Sequence, residues 1–268
     1  MKLHSVSTPG SGPRVVLIHG LDSSSRTWKV VGESLNSPTV AMDQRTCGLS
    51  DDGDLDHFSQ SALVADIHEI VEEEEGKVVV VGHSLGGRVA LAYAAQHPDR
   101  VAALIIEDMD IQNRPPKTGV FNFENDVVHF DRAHKTKDTI IDFMLKGGYK
   151  IESINRWIEQ DRIEQLADGS WWSHVNPMFR NLCYQHVLGT DNGKIDCKQI
   201  VEQGSSFPCH VLVAGERGTV CSEGSVQEMK AILGGRLTIH RYPAATHSIH
   251  SSAREEFLRT VETIVQSV

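Results

Sequence analysis

Long apolar runs are missing from this chain of 268 residues, and aromatic side chains make up only 6% of it. With no segment of about 20 consecutive apolar residues, a membrane-spanning helix is not expected. The opening stretch, "MKLHSVSTPGSGPR", has no apolar core of signal-peptide type, so no secretory leader is expected either. Cysteine is scarce and scattered: Cys47, Cys183, Cys197, Cys209 and Cys221 are odd in number and never stand as C-x-x-C. That spacing argues against a structural zinc site or a disulfide framework and fits reduced thiols in the cytoplasm. Positive charge is in deficit, with 26 Lys and Arg against 36 Asp and Glu and a net charge of −10. Such a balance disfavours nucleic acid and anionic membranes as partners, although a pocket can carry a local field of its own.

What is present alternates. "RVVLIHG" (Arg14–Gly20), "PTVAMD" (Pro38–Asp43), the valine run Val78–Val81, "VAALIIE" (Val101–Glu107), "CHVLVAGE" (Cys209–Glu216) and "RLTIHRY" (Arg236–Tyr242) read as strands. Helical patterns fall between them, around Trp28–Leu35, over Ser59–Glu75 and from Leu85 to Pro98. Ser225-x-x-Glu228 and Ser252-x-x-Glu255 have the capping-box form before two late helices. Strands alternating with helices imply an α/β fold with a mostly parallel central sheet flanked by helices. The interval 112–206 breaks this rhythm. It is richer in charge, with helical patterns at Asp138–Lys146, Ile151–Leu166 and Pro177–Val187 and no buried strands between them. The expected organisation is a core in two parts, 1–111 and 207–268, with a helical cap inserted at 112–206.

Chemistry concentrates at Gly82-His83-Ser84-Leu85-Gly86, a G-x-S-x-G turn between a valine strand and an alanine-rich helix. Such a turn strains the serine backbone and lifts its hydroxyl clear at the start of the helix, which suits a nucleophile. A nucleophilic serine needs a base, an orienting acid and donors for an oxyanion. His247, in "PAATHSIHS", follows the last strand and reaches the same sheet edge. His250 suits packing, His83 sits inside the turn, and His19 ends a strand where a buried ring usually satisfies backbone groups. The backbone N–H groups of Leu85 and of Leu21, beside Gly20, are the candidate oxyanion donors.

These motifs resemble the α/β-hydrolase superfamily: "HGLDSSSRTW" at His19–Trp28, "DQRTCGLS" at Asp43–Ser50, "GHSLGG" at Gly82–Gly87, and His247. The second departs from the family's D-x-R-G-x-G-x-S form at Thr46 and Cys47, leaving Arg45 and Gly48 as its structural positions and Cys47 unexplained. In many relatives the acid stands in a loop after the penultimate strand, where this chain has Gly218. A branch that includes small esterases carries it after the strand that follows the nucleophile helix. Asp108, 24 residues beyond Ser84, matches that spacing. Glu107, Asp110 and Glu216 remain alternatives, and crowding among the neighbouring carboxylates would couple their titration. The resemblance implies acyl transfer to water from a small-molecule ester or thioester, with no metal and no organic cofactor. Trp171 and Trp172, with Met178, Phe179 and Tyr184, are candidates for an apolar pocket under the cap. The absent acid at Gly218 also leaves open a binding protein or receptor with a vestigial site.

Overall fold

Strand side chains alternate between the two faces of a sheet, so a run without polar residues must be covered on both. The computed structural model describes residues 1–115, 132–215 and 218–268. Its first part contributes β1 (Ser5–Thr8), β2 (Val15–Ile18), α1 (Lys29–Ser34), β3 (Thr39–Met42), α2 (Gln60–Ile70), β4 (Val78–His83), α3 (Leu85–Gln96) and β5 (Val101–Glu107). Next come β6 (Ala133–His134), α4 (Lys137–Lys146), α5 (Ile151–Glu159), β7 (Ile163–Gln165), β8 (Trp171–Ser173), α6 (Pro177–Cys183) and α7 (Asn192–Glu202). The last part holds β9 (Cys209–Ala214), α8 (Glu223–Leu233), β10 (Leu237–Tyr242), the one-turn α9 (Ile249–Ser252) and α10 (Arg254–Gln266).

Seven strands form the central sheet in the order β1-β3-β2-β4-β5-β9-β10. Among the described residues of this sheet, only β1 and β3 pair antiparallel. Val16, Ile18, Val78, Val80, Leu104 and Ile106 enter the layer shared with α2, α3 and α8. Their sequence neighbours Val15, Leu17, Val79, Val81 and Ile105 enter the other, against Val31 of α1 and Phe257 and Val261 of α10. Each such fully buried side chain contributes about 1.5–3 kcal/mol. In α3 every residue from Leu85 to Ala95 is buried, which explains its small side chains: the helix lies between the sheet, α2 and α7. Parallel strands place the ends of β2, β4, β5 and β9, and the segment after β10, along one sheet edge.

The middle segment departs from the helical expectation. β6, β8 and β7 form a three-stranded antiparallel sheet. The helix expected through Leu166 ends at Glu159, because Asp161 takes φ 52° and turns the chain into β7. Ile163 then faces a small core of Ile140, Met144, Ile154, Trp157 and Val175. The helix expected over Pro177–Val187 begins on the Asn176 cap, whose Oδ1 accepts from the Met178 N–H at 2.9 Å, but widens into a π-helical turn at Tyr184–Leu188. α7 was not foreseen, and its Cys197 and Ile200 join the apolar layer of α3. Neither late capping box forms as expected. Ser222 caps α8, accepting from the Ser225 N–H at 3.2 Å, and Ala253 precedes α10.

Candidate active site

Ser84 joins β4 to α3 with φ 53° and ψ −125°, a conformation that residues with side chains rarely adopt. Its N–H donates to Glu107 O at 2.9 Å, and its carbonyl accepts from the Gly87 N–H at 2.8 Å. The turn closes only because its flanks lack side chains. A Cβ on Gly82 would lie 2.1 Å from Gly86 O, and one on Gly86 would lie 2.3 Å from Ile18 O. Leu85 opens α3, so its N–H points from the positive end of the helix beside the serine.

The segment after β2 approaches from the other side, where a Cβ on Gly20 would sit 2.9 Å from Ser84 Cβ. His19, fully buried, donates from Nδ1 to Gly20 O at 2.8 Å and accepts at Nε2 from the Gln44 N–H at 3.2 Å. Burial lowers its pKa and keeps the ring neutral. Gly20 C=O and Leu21 N–H share one peptide plane and point in opposite directions. The bond from His19 therefore also orients the Leu21 N–H.

Asp108 lies just past β5 with φ 45° and no exposed surface. Its Oδ2 accepts from His247 Nδ1 at 2.6 Å and from the Val220 N–H at 3.0 Å. Its Oδ1 accepts from Thr219 Oγ1 at 2.6 Å and from the Ala214 N–H at 3.1 Å. Burial pushes this carboxyl pKa up, but the bonds from His247, Thr219, Val220 and Ala214 outweigh it and hold the pKa below the usual value. The loop that carries the acid in many relatives thus supplies donors to an acid from β5. Gly218 in that loop has φ +97°, which an aspartate would rarely adopt. Glu216 lies outside the described residues. The other two candidates face elsewhere. Glu107 accepts from His250 Nδ1 at 2.9 Å and from the His250 N–H at 2.8 Å, and Asp110 pairs with Arg114 at 2.5 Å. Each of the three carboxylates thus has its own cationic or imidazole partner. Among the described residues no hydrogen bond joins Ser84 Oγ to His247; such bonds often tighten only with substrate in place.

A family model described as the alpha/beta hydrolase family matches residues 15–260. The chain belongs to the alpha/beta hydrolase family. The sn-1-specific diacylglycerol lipase ABHD11 of Xenopus laevis is 24% identical over 266 residues, which is 96% of this chain and 80% of that protein. An esterase of Mycobacterium tuberculosis is 28% identical over 170 residues, 60% of this chain and 56% of its own length. Among solved structures, a marine microorganism esterase superposes with a TM-score of 0.73 at 21% identity, covering 98% of this chain and 99% of the other. A thioesterase domain from the curacin biosynthetic pathway gives 0.69 at 15% identity, over 97% and 94%. At these identities the two structures show the alpha/beta hydrolase fold alone.

Behind the elbow of this alpha/beta hydrolase, His83 donates from Nε2 to His247 O at 3.1 Å. Burial, together with the neighbouring imidazoles of His250 and His247, lowers its pKa to about 4, so it is a neutral prop for the His247 segment. His83, Glu107 and His250 have ligand atoms within 4.8 Å of one another. His250 is engaged at both nitrogens, Nδ1 with Glu107 and Nε2 with Thr27 Oγ1 at 2.9 Å, and His83 Nε2 is engaged with His247 O. The "DQRTCGLS" loop is a scaffold. Buried Asp43 holds the Ser25 N–H at 2.6 Å and the Leu49 N–H at 2.9 Å, and Arg45 pairs with Asp66 at 2.7 Å. Cys47 is buried there, and desolvation pushes its thiol pKa well up, which makes it unreactive.

Trp171 and Trp172 lie on β8, at the seam between the inserted segment and this loop. Trp172 Nε1 donates to Gly48 O at 3.1 Å, Arg132 covers its ring at 4.6 Å, and Lys137 lies 5.7 Å from the Trp171 ring. The Phe179 ring centroid lies 6.4 Å from that of His19. Thr219, which accompanies His247 on Asp108, is not singled out by the sequence, because a polar residue on an irregular loop carries no periodic signal.

Proposed function

We propose that this chain is a serine hydrolase of carboxylic esters or thioesters that works through an acyl-enzyme on Ser84. The observation carrying this is the 2.6 Å bond from His247 Nδ1 to Asp108, formed at the sheet edge that also presents the strained Ser84. A proton held at Nδ1 leaves the Nε2 lone pair free to face the serine. His247 takes the Ser84 proton as Oγ attacks the carbonyl carbon, and the N–H groups of Leu21 and Leu85 receive the oxyanion. Collapse expels the alcohol or thiol, protonated by His247. Water activated by the same imidazole then releases the carboxylic acid and restores Ser84. Residues of the chain supply every group in this scheme. The related lipase and esterase support ester chemistry, and the inserted segment 112–206 is the natural selector of substrate above the sheet edge. Five buried, unpaired cysteines are consistent with a reducing compartment.

Labelling with a fluorophosphonate and hydrolysis of p-nitrophenyl esters of graded length, beside acyl-thioesters, test the proposal. The expected result is an adduct on Ser84 and turnover that falls on the order of 10⁶-fold in Ser84→Ala. A folded wild-type protein that neither labels nor hydrolyses any of these substrates would instead be a binding protein on the same fold.

A further inference from the structure

The oxyanion loop has a weakness built into it. Gly20 must lack a side chain because a Cβ there would press on Ser84 Cβ at 2.9 Å, and glycine restrains its own backbone least of all residues. His19 holds the carbonyl side of the Gly20–Leu21 peptide. The far side is held by the next residue. Asp22 takes φ 54°, and its carboxylate receives two groups from separate elements of the inserted segment. Tyr149 OH, just before α5, donates to Oδ1 at 2.5 Å, and Arg180 of α6 meets Oδ2 at 3.2 Å. Those partners are braced in turn: the Arg180 guanidinium lies 5.2 Å from the Tyr149 ring centroid, and Trp157 packs edge-on against that ring at 4.8 Å.

We propose that Asp22 is a positioning residue that anchors the oxyanion loop to the inserted segment through Tyr149 and Arg180. Seating of that segment and alignment of the Leu21 N–H are then one event, and a segment displaced from Asp22 leaves the donor unheld. This rests on the proposed role of Leu21 as an oxyanion donor. Arg26, which donates to Asp161 O at 2.6 Å and pairs with Glu164 at 2.8 Å, is a second tie to the same segment that does not involve the loop peptide.

The test compares Tyr149→Phe, Asp22→Gly, their double mutant and Arg26→Ala. Glycine at position 22 keeps the positive φ but also frees its own backbone, so Tyr149→Phe, which leaves the loop's residues unchanged, is the variant that reads the anchor alone. Removing an oxyanion donor outright costs about 10²–10³-fold in kcat, so misaligning one should cost roughly 10- to 100-fold on p-nitrophenyl acetate. KM and the midpoint of the pH profile should stay near wild type, Arg26→Ala should keep wild-type kcat, and the double mutant should be no worse than Asp22→Gly. Inhibition by a trifluoromethyl ketone, which mimics the oxyanion, should weaken in parallel with kcat. Amide exchange at Gly20–Asp22 reads the anchor without reference to catalysis and should speed up in both single variants. Wild-type kcat in folded Tyr149→Phe and Asp22→Gly, unchanged exchange, or an equal loss in Arg26→Ala each overturns the inference. Failure of the serine-hydrolase proposal shows differently, as a wild-type protein that fluorophosphonate does not label, and exchange then still decides whether the loop is anchored.

Discussion

Replacing Asp108 by asparagine changes one atom and almost no volume, so its cost follows from hydrogen-bond polarity. Every group facing the carboxylate donates: Ala214 N–H and Thr219 Oγ1 to Oδ1, Val220 N–H and His247 Nδ1 to Oδ2. An amide NH2 turned toward Oδ1 meets the Ala214 N–H, and one turned toward Oδ2 meets the Val220 N–H. Either way a buried backbone donor loses its acceptor, at about 1–3 kcal/mol of stability. The first orientation preserves the imidazole tautomer, because the Thr219 hydroxyl can rotate to accept. The second makes Nδ1 of His247 an acceptor and inverts the tautomer. In both, the negative charge beside the developing imidazolium is gone. At about 4 Å and an effective dielectric of about 20, that charge is worth about 4 kcal/mol, or roughly 10³-fold in rate. An inverted tautomer carries the loss toward ~10⁴-fold. Glu107→Gln and Asp110→Asn, whose carboxylates serve His250 and Arg114, should lose much less. The assay is steady-state ester hydrolysis, with fluorophosphonate titration to count functional serines and circular dichroism to verify the fold. An Asp108→Asn enzyme within tenfold of wild type would refute the argument, and a severe Glu216→Gln would move the acid to the loop after β9.

Gly20→Ala places a methyl 2.9 Å from Ser84 Cβ and should lower kcat by about 10- to 100-fold with little change in KM, since a misplacement of about 1 Å can cost that much; unaltered kinetics would mean that the loop yields freely. Arg88, 1% exposed, donates to the carbonyls of Gln112, Val187 and Asp110. Arg88→Met strands those acceptors and should cost about 2–4 kcal/mol in urea unfolding, so an unchanged midpoint would contradict the packing described. His210 has its pKa lowered to about 4 by burial and by neighbouring His240. From pH 6.5 down to about 4 the unfolded chain binds a proton there that the folded one does not, so this group makes stability fall as the pH drops. His210→Leu should flatten the dependence of Tm on pH in that window, and an unchanged slope would show that the group does not titrate as described.

The sheet was legible because burial on both faces leaves strands such as Val78–Val81 with no polar residue, a pattern imposed on each strand by its own position. The elbow was legible for a related local reason: Gly82 and Gly86 must be glycine where backbone meets backbone within one turn. His247 was expected at this edge from its place after the last strand, and it meets Asp108 there. The inserted segment was less so. Strands of two or three residues, such as β6 and β8, are shorter than any period that could announce them, and Ile163 counts equally well toward a helix or a strand. Sequence spacing selected Asp108 only by resemblance, with Glu107 and Asp110 beside it as equals in residue type. Tertiary structure separates the three by giving each a different partner, His247, His250 or Arg114. Three further donors to Asp108, from Ala214, Thr219 and Val220, come from more than 100 residues away. Two are backbone N–H groups, which any residue but proline offers, so no side-chain identity records them. Local burial and close backbone approach restrict residue type and can be read along the chain. The choice among equivalent carboxylates, and the tie from Asp22 to Tyr149 and Arg180, depend on which distant loops meet at the sheet edge, and only the folded chain decides that.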